Sequence, residues 1–231
     1  MKSIFKFALL PALFVAAVCR GAGEPQVGLR CDFASERDLG DDWRTIGSFM
    51  VPLWTHFHIA DVPGAANGRA LVVEANNSGG FMIVRFRGVD LGKHPRLHWR
   101  WRIVRPMKVA VGRRDPDDQA CVIYIADGTQ VRQRCVGYRW EFNTPVGATA
   151  MLKYGGGIRL VKAFCLRNRE TPAGEWVEEE RDVVADFKDA FGVAPAHDFV
   201  VVIGGNSQHS RSNTRVEIDY IEFRSAPAPG N

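Results

Sequence analysis

The chain has 231 residues and a formal net charge of +4, but three of its basic residues, Lys2, Lys6 and Arg20, fall within positions 1–23. Without that stretch the formal charge is +1 and no Lys/Arg-dense segment remains, which excludes the electrostatic footprint of a nucleic-acid-binding protein. The roughly two hundred residues that follow suffice for one all-β domain with its own core, and nothing in them requires a second.

Basic Lys2 and Lys6 are followed by an apolar run from Phe7 to Val18 and by small Gly21, Ala22 and Gly23. That order is the layout of a secretory signal peptide, and the run is too short for a membrane span, which needs ~20 apolar residues. Cleavage is expected near Gly23, with residues 24–224 as a single exported domain, periplasmic or secreted, and 225–231 ("SAPAPGN") as a flexible tail. An uncleaved anchor, or lipidation at Cys19 in "AAVC", would instead tie the protein to a membrane, although Val18 is a poor residue before a lipidated cysteine. Four cysteines follow the leader: Cys31, Cys121, Cys135 and Cys165. An oxidising compartment allows three complete pairings among four thiols, and no Cys/His spacing suggests zinc.

Beyond the leader, period-two alternation and turn residues argue for strands. "THFHI" carries His56 and His58 on one strand face. "RALVVEA" follows the turn-like "PGAANG", "FMIVRFRGV" alternates from Phe81 to Val89, and after "GKHP" comes "LHWRWRIV", Leu97 to Val104. "ACVIYIADGTQVRQRCVGYRWEF" reads as a hairpin turning about Asp127 and Gly128, where glycine supplies the positive φ of a tight turn. That register sets Cys121 opposite Cys135, as a cross-strand disulfide or as two buried thiols. Further strands are expected in "GIRLVKAFCLR", "HDFVVVIGG" and "TRVEIDYIEF". "RDVVADFKDAFG" stands out as a short helix over 182–191, its Val183, Val184, Phe187 and Phe191 at helical spacing and Gly192 as its C-terminal cap. The pattern is that of an all-β fold: an antiparallel β-sandwich of jelly-roll type carrying one short helix.

"HWRWRI", "DPDDQACVIYI", "GYRWEFNTPVG", "GEWVEEERDVVADFKDAFGVAP" and "RVEIDYIEF" occur in this order, and together they resemble the bacterial secreted family catalogued as domain of unknown function 3047. The resemblance runs from about Cys31 to Arg224. It implies export and a sandwich like those of carbohydrate-binding jelly rolls, and supplies no mechanism. Two departures stand out. The family pattern carries an arginine where this chain has Val122, and an Asp-rich turn where it has "GGNSQHSRSNT", Gly204 to Thr214.

In "LHWRWRIV", Leu97, Trp99, Trp101 and Ile103 share one face, and His98, Arg100, Arg102 and Val104 the other. Burying two indoles removes much apolar area from water at ~25 cal/mol per Å², whereas burying two unpaired guanidinium groups costs several kcal/mol each. The tryptophans therefore face the core. The arginines, roughly 7 Å apart at ~3.3 Å rise per residue, face either a carboxylate-bearing or hydroxylated ligand or the acidic residues of neighbouring strands.

Tyr138 and Trp140 also share a face, as a stacking surface for sugars or as core residues. Asp115, Asp117 and Asp118 could donate oxygens to Ca²⁺, but they lack the spacing of an EF-hand loop and read more readily as a solvated turn. His56 and His58 have the spacing of a cupin metal pair without its accompanying residues. Asn206 opens a polar loop, which is either a merely solvated loop or one of the kind that binds ligands at sandwich ends. No nucleophile elbow, H-E-x-x-H or P-loop is present.

The expectation is a non-catalytic, cofactor-free domain that binds a glycan or other polar ligand through Arg100, Arg102, Tyr138, Trp140 and Asn206. The alternatives are a polysaccharide lyase or glycoside hydrolase acting on an acidic glycan, and a structural cell-envelope protein.

Overall fold

The structure, a computed structural model, describes residues 25–39, 43–47, 54–84, 86, 88–109, 117–129 and 132–227. The leader, Cys19, Asp115 and the last four residues of the tail lie outside them.

The strands are β1 (Val27–Cys31), β2 (Arg44–Gly47), β3 (His56–Asp61), β4 (Arg69–Asn76), β5 (Gly79–Val84), β6 (Arg96–Arg105), β7 (Gln119–Thr129), β8 (Arg132–Trp140), β9 (Thr149–Tyr154), β10 (Arg159–Arg167), β11 (Val177–Asp182), β12 (Val200–Asn206) and β13 (Asn213–Arg224). They form two sheets. The first has the order β11-β6-β13-β4-β3, with β1 also paired to β13; the second has the order β2-β5-β12-β7-β8-β10-β9. Every pairing is antiparallel except that of β10 with β8, which is parallel. The expected β-sandwich is present, then, with one mixed sheet.

The core forms where the alternating strands meet. Leu97, Trp99 and Trp101 on β6 are completely buried. Across the sandwich Trp99 stacks on Tyr138 with ring centroids 5.3 Å apart, and Trp101 meets Trp140 edge-on, also at 5.3 Å. Tyr138 and Trp140 are 0% and 1% exposed. They are core residues of β8, so the reading of them as ligand-stacking aromatics is corrected. Aromatic side chains of this size bury about 150–250 Å² each, so at ~25 cal/mol per Å² every one of the four brings several kcal/mol to the packing of sheet on sheet.

The helix is α1 (Val183–Phe191). Asp182 caps its start by accepting from the Ala185 amide at 2.8 Å, and Gly192 ends it in the left-handed conformation, φ 74°. Val183 and Phe187 are buried. Asp186, on the same side, accepts the Tyr138 hydroxyl proton at 2.8 Å and is gripped by both Nε and Nη2 of Arg181. Burial and the Asp186 carboxylate together push the Tyr138 hydroxyl well above its usual range, so it stays a donor.

The Cys121–Cys135 pairing is corrected. β7 runs on to Thr129, which pairs with Arg132, so Cys121 lies opposite Trp140 and Cys135 opposite Ala126. Cys121 faces the core between the sheets, whereas Cys135 belongs to a small cluster with Ala126 and Val161 on the other side of its sheet. Gly128 has the expected positive φ of 95°, but it is used inside the ladder: a Cβ there would lie 2.2 Å from the Arg132 carbonyl oxygen. All four described cysteines are buried, and Cys31, Cys121 and Cys135 are free. Burial pushes the thiols of Cys31 and Cys135 up to about 12 and raises that of Cys121 as well.

Two outcomes follow. Thiol reagents at pH 8 should leave Cys31, Cys121 and Cys135 unmodified in the native protein and label them in denaturant without reductant; protection that persists in denaturant would mean disulfides. Asp186→Ala should lower unfolding free energy by about 2–4 kcal/mol, because it leaves the Tyr138 hydroxyl and Arg181 without their acceptor. A change under 0.5 kcal/mol, the range of ordinary surface substitutions, would remove Asp186 from that role.

Candidate functional site

The two sheets turn very different outer faces to solvent. On the first, Arg100 donates to Asp219 at 2.7 Å and to the Gly64 carbonyl at 3.2 Å, and Arg102 donates to Glu217 at 2.7 Å. Both guanidinium groups lie over the Trp176 ring, 4.7 and 4.4 Å from its centroid. Asp219 is fully buried and accepts the Ala66 amide as well. A register shift between Ile218 and Tyr220 lets two consecutive residues of β13, Asp219 and Tyr220, serve this polar face. Arg100 and Arg102 thus sit beside an aromatic ring, but with carboxylates of the next strand as partners. They clamp the β3–β4 loop and Trp176 onto the sheet.

Further along the same face Glu222, with its side chain 1% exposed, is held by Arg30 at 3.0 Å, by His98 Nδ1 at 3.0 Å and by Arg224. Burial works to raise the Glu222 carboxyl, but the bonds from His98 and Arg30 and the charges of Arg224 and Arg30 outweigh it and bring it down to about 2. His56 and His58 are exposed on β3, opposite Glu74 and Val72. Among the described residues no cluster of three His, Cys, Asp or Glu side chains could hold a metal ion.

The outer face of the second sheet is apolar on one side and polar on the other. Register sets Ile46, Phe81, Gly204, Val122 and Arg139 side by side across five strands, and Ile83, Val202, Tyr124, Gly137 and Ala163 in the next row. Residues paired in this way project to the same side. The glycines make room for rings lying flat: a Cβ on Gly137 would come 2.5 Å from Tyr124 Cε1, and one on Gly204 2.7 Å from Phe81 Cδ1. Val122, where the family resemblance expects arginine, is a fully buried part of this floor beside Arg139.

Arg139 is the centre of the polar half. Its side chain is 5% exposed. Nη2 donates to the hydroxyls of Tyr124 at 3.2 Å and Tyr154 at 3.1 Å, while Nη1 reaches Asp117 at 3.5 Å and Glu141 at 3.4 Å. The Tyr154 hydroxyl donates in turn to Asp117 at 3.2 Å, and Thr144 donates to Glu141. Arg139 Nε is buried with no partner among the described residues. Burial raises both tyrosine hydroxyls, with Arg139 pulling the other way, so at neutral pH both are protonated donors.

Of the residues expected to bind ligand, Asn206 is the one beside this cluster: its Nδ2 donates to the Asp117 carbonyl at 3.4 Å and its Oδ1 accepts from the Gln208 amide. Asp117 belongs to the acidic turn read as a Ca²⁺ candidate, and its carboxylate is turned to Arg139 and Tyr154. Asp118 is buried and accepts the amides of His209 and Ser210, which fixes the loop after β12. Tyr124, Arg139, Glu141 and Tyr154 are new members. A pointer to Arg139 lies in "GYRW", whose alternation sends Arg139 out by the same step that buries Tyr138 and Trp140.

These features define a two-sheet β-sandwich protein with a polar cluster set into the outer face of one sheet. The model of the family described as "Protein of unknown function (DUF3047)" matches residues 41–222, and the chain belongs to that family. No curated protein is significantly similar to it. Solved structures with similar strand arrangements include the family 11 carbohydrate-binding module of a cellulosomal cellulase of Clostridium thermocellum, 10% identical with TM-score 0.44, covering 89% of this chain and 96% of that one. A carbohydrate esterase from the Shiga toxin-encoding bacteriophage phi24B is 13% identical with TM-score 0.44, covering 87% and 99%. A family 12 xyloglucanase from Bacillus licheniformis is 12% identical with TM-score 0.44, covering 87% and 99%. With TM-scores below 0.5, none of these likenesses bears on what this chain does.

The Glu222 cluster predicts a pH dependence. A carboxyl lowered in the folded state from 4.5 to about 2 contributes stability that is present above pH 4.5 and lost as pH falls toward about 2. Urea unfolding across that window should show a fall that Glu222→Gln makes shallower, by on the order of 2–3 kcal/mol. An identical slope in the variant would remove Glu222 as its source.

Proposed function

We propose that this protein is a non-catalytic, exported module that binds a glycan chain across the outer face of the second sheet. Asp117, Glu141, Tyr124 and Tyr154 make the polar contacts, Arg139 orients them, and Phe81, Ile83 and Val202 form the floor.

The observation that carries this reading is Arg139. A sandwich has no packing need for a guanidinium set into a sheet face, and desolvating one costs several kcal/mol unless its partners are well arranged. Here it holds two tyrosine hydroxyls and two carboxylates in one cluster, a mixture of donors and acceptors. Sugar hydroxyls require both, and their C–H faces pack on an apolar floor.

Against catalysis, both carboxylates of the cluster are already engaged by the same nitrogen of Arg139, Nη1. Tyrosines held protonated are also poor bases for a lyase. Export rests on the basic, apolar and small-residue order of positions 1–23. In an oxidising compartment the buried thiols are protected by inaccessibility.

Affinity electrophoresis against a panel of soluble polysaccharides, with a parallel assay for new reducing ends or unsaturated products, tests the reading. At least one glycan should retard the protein without being cleaved. Tyr154→Phe and Asp117→Ala should each weaken that retardation roughly 3- to 10-fold, the effect of one lost hydrogen bond, while Arg102→Lys leaves it unchanged. Turnover of any panel member, or retardation by none, would overturn it.

A further inference from the structure

We infer that the glycans accepted by this face are uncharged, and that Asp117 and Glu141 are the residues that reject uronic-acid and other anionic chains. The inference rests on the glycan-binding reading above and goes beyond it to the ligand's charge.

The polar cluster has one cation and two anions. Arg139 is 5% exposed at its side chain, with both terminal nitrogens already committed, so it has no outward face to offer a substrate carboxylate. Asp117, by contrast, is 56% exposed at its side chain and Glu141 15%. A ligand therefore meets the carboxylates and the tyrosine hydroxyls first. With the hydroxyls neutral, the described part of the rim it meets is negative by one unit.

Of the other cations on the described part of this face, Arg159 stands opposite Tyr154 on the ladder and is committed to the Gln133 side chain, to which it donates at 2.7 Å. Arg44 pairs with Ile83, three strands from Tyr124, or roughly 14 Å at ~4.8 Å per strand, beyond the Debye length of ~8 Å at physiological salt.

A neutral chain loses nothing here, because carboxylates accept hydroxyl protons well. A chain bearing a carboxylate near Asp117 meets like charge. At roughly 6 Å near a wet surface the expected penalty is about 3- to 10-fold in affinity per contact.

The test uses the full-length exported protein and polysaccharide pairs that share a backbone and differ in charge, such as methyl-esterified and de-esterified pectin, or hydroxyethyl and carboxymethyl cellulose. For any backbone that binds, the neutral member should bind about 3- to 10-fold tighter, with the gap narrowing as salt is raised. Asp117→Asn should close most of the gap, and Asp117→Asn with Glu141→Gln should reverse it. The single variant alters an exposed side chain, so it reports even if the double variant fails to fold.

Equal or tighter binding of the acidic member by the unaltered protein overturns this inference and leaves glycan binding standing. A gap that Asp117→Asn does not alter also overturns it. Failure of both members of every pair to bind overturns the underlying reading as well.

Discussion

The rest of the molecule depends on four aromatic side chains that meet between the sheets. Trp99 and Trp101 project from β6, Tyr138 and Trp140 from β8, and they interlock at ring separations of 5.3 Å. Because side chains alternate along a strand, burying these four decides at once what their neighbours do. His98, Arg100 and Arg102 are driven to the outside of the first sheet, and Gly137 and Arg139 to the outside of the second. A one-residue slip in either strand would bury arginines against tryptophans, at a cost of several kcal/mol for each unpaired charge. The polar chemistry of both outer faces is thus a consequence of how the core is filled.

The two faces use their arginines in opposite ways. On the first sheet Arg100 and Arg102 are each paired with a carboxylate on β13, and Trp176 beneath them turns the assembly into a cover for the small Val62, Ala70 and Val72 cluster. This is a load of charge closed on itself. On the second sheet a single buried arginine serves four groups. Asp117 stands at its edge open to solvent, beside a floor made flat by Gly137 and Gly204. Glycine in a strand weakens it for want of a side chain, and here the omission lets Tyr124 and Phe81 lie down over neighbouring backbone. The first face holds the molecule together, and the second leaves the Asp117 carboxylate open to solvent.

The helix shows how local and tertiary chemistry meet. Asp182 and Gly192 end it by local capping, and both are readable from the chain. Asp186 contributes nothing to capping. It is buried because Arg181, next to the helix, and Tyr138, from the sheet, converge on it. The hydroxyl that looks like a sugar contact in isolation is therefore a tether between helix and core.

By itself the sequence determined the period of each long strand and the contrast between its faces. Hydrophobic alternation depends only on neighbours two residues apart, and capping only on neighbours three or four apart. Strand β6, the helix and the sandwich class are legible on those terms, and the same alternation in "GYRW" implies an outward Arg139. Tyr124 is harder to place, since β7 is apolar on both faces and alternation there carries no sign. The tertiary structure alone decided register and partnership. Carrying β7 on to Thr129 moved Cys121 away from Cys135 and put them on opposite faces. Pairing β6 with β13 set Asp219 and Glu217 against Arg100 and Arg102. The Arg139 cluster draws on β7, β8, β9 and the segment leading into β7. Such contacts span up to 119 residues of chain, and their identity depends on which strands lie side by side, a choice no local pattern encodes.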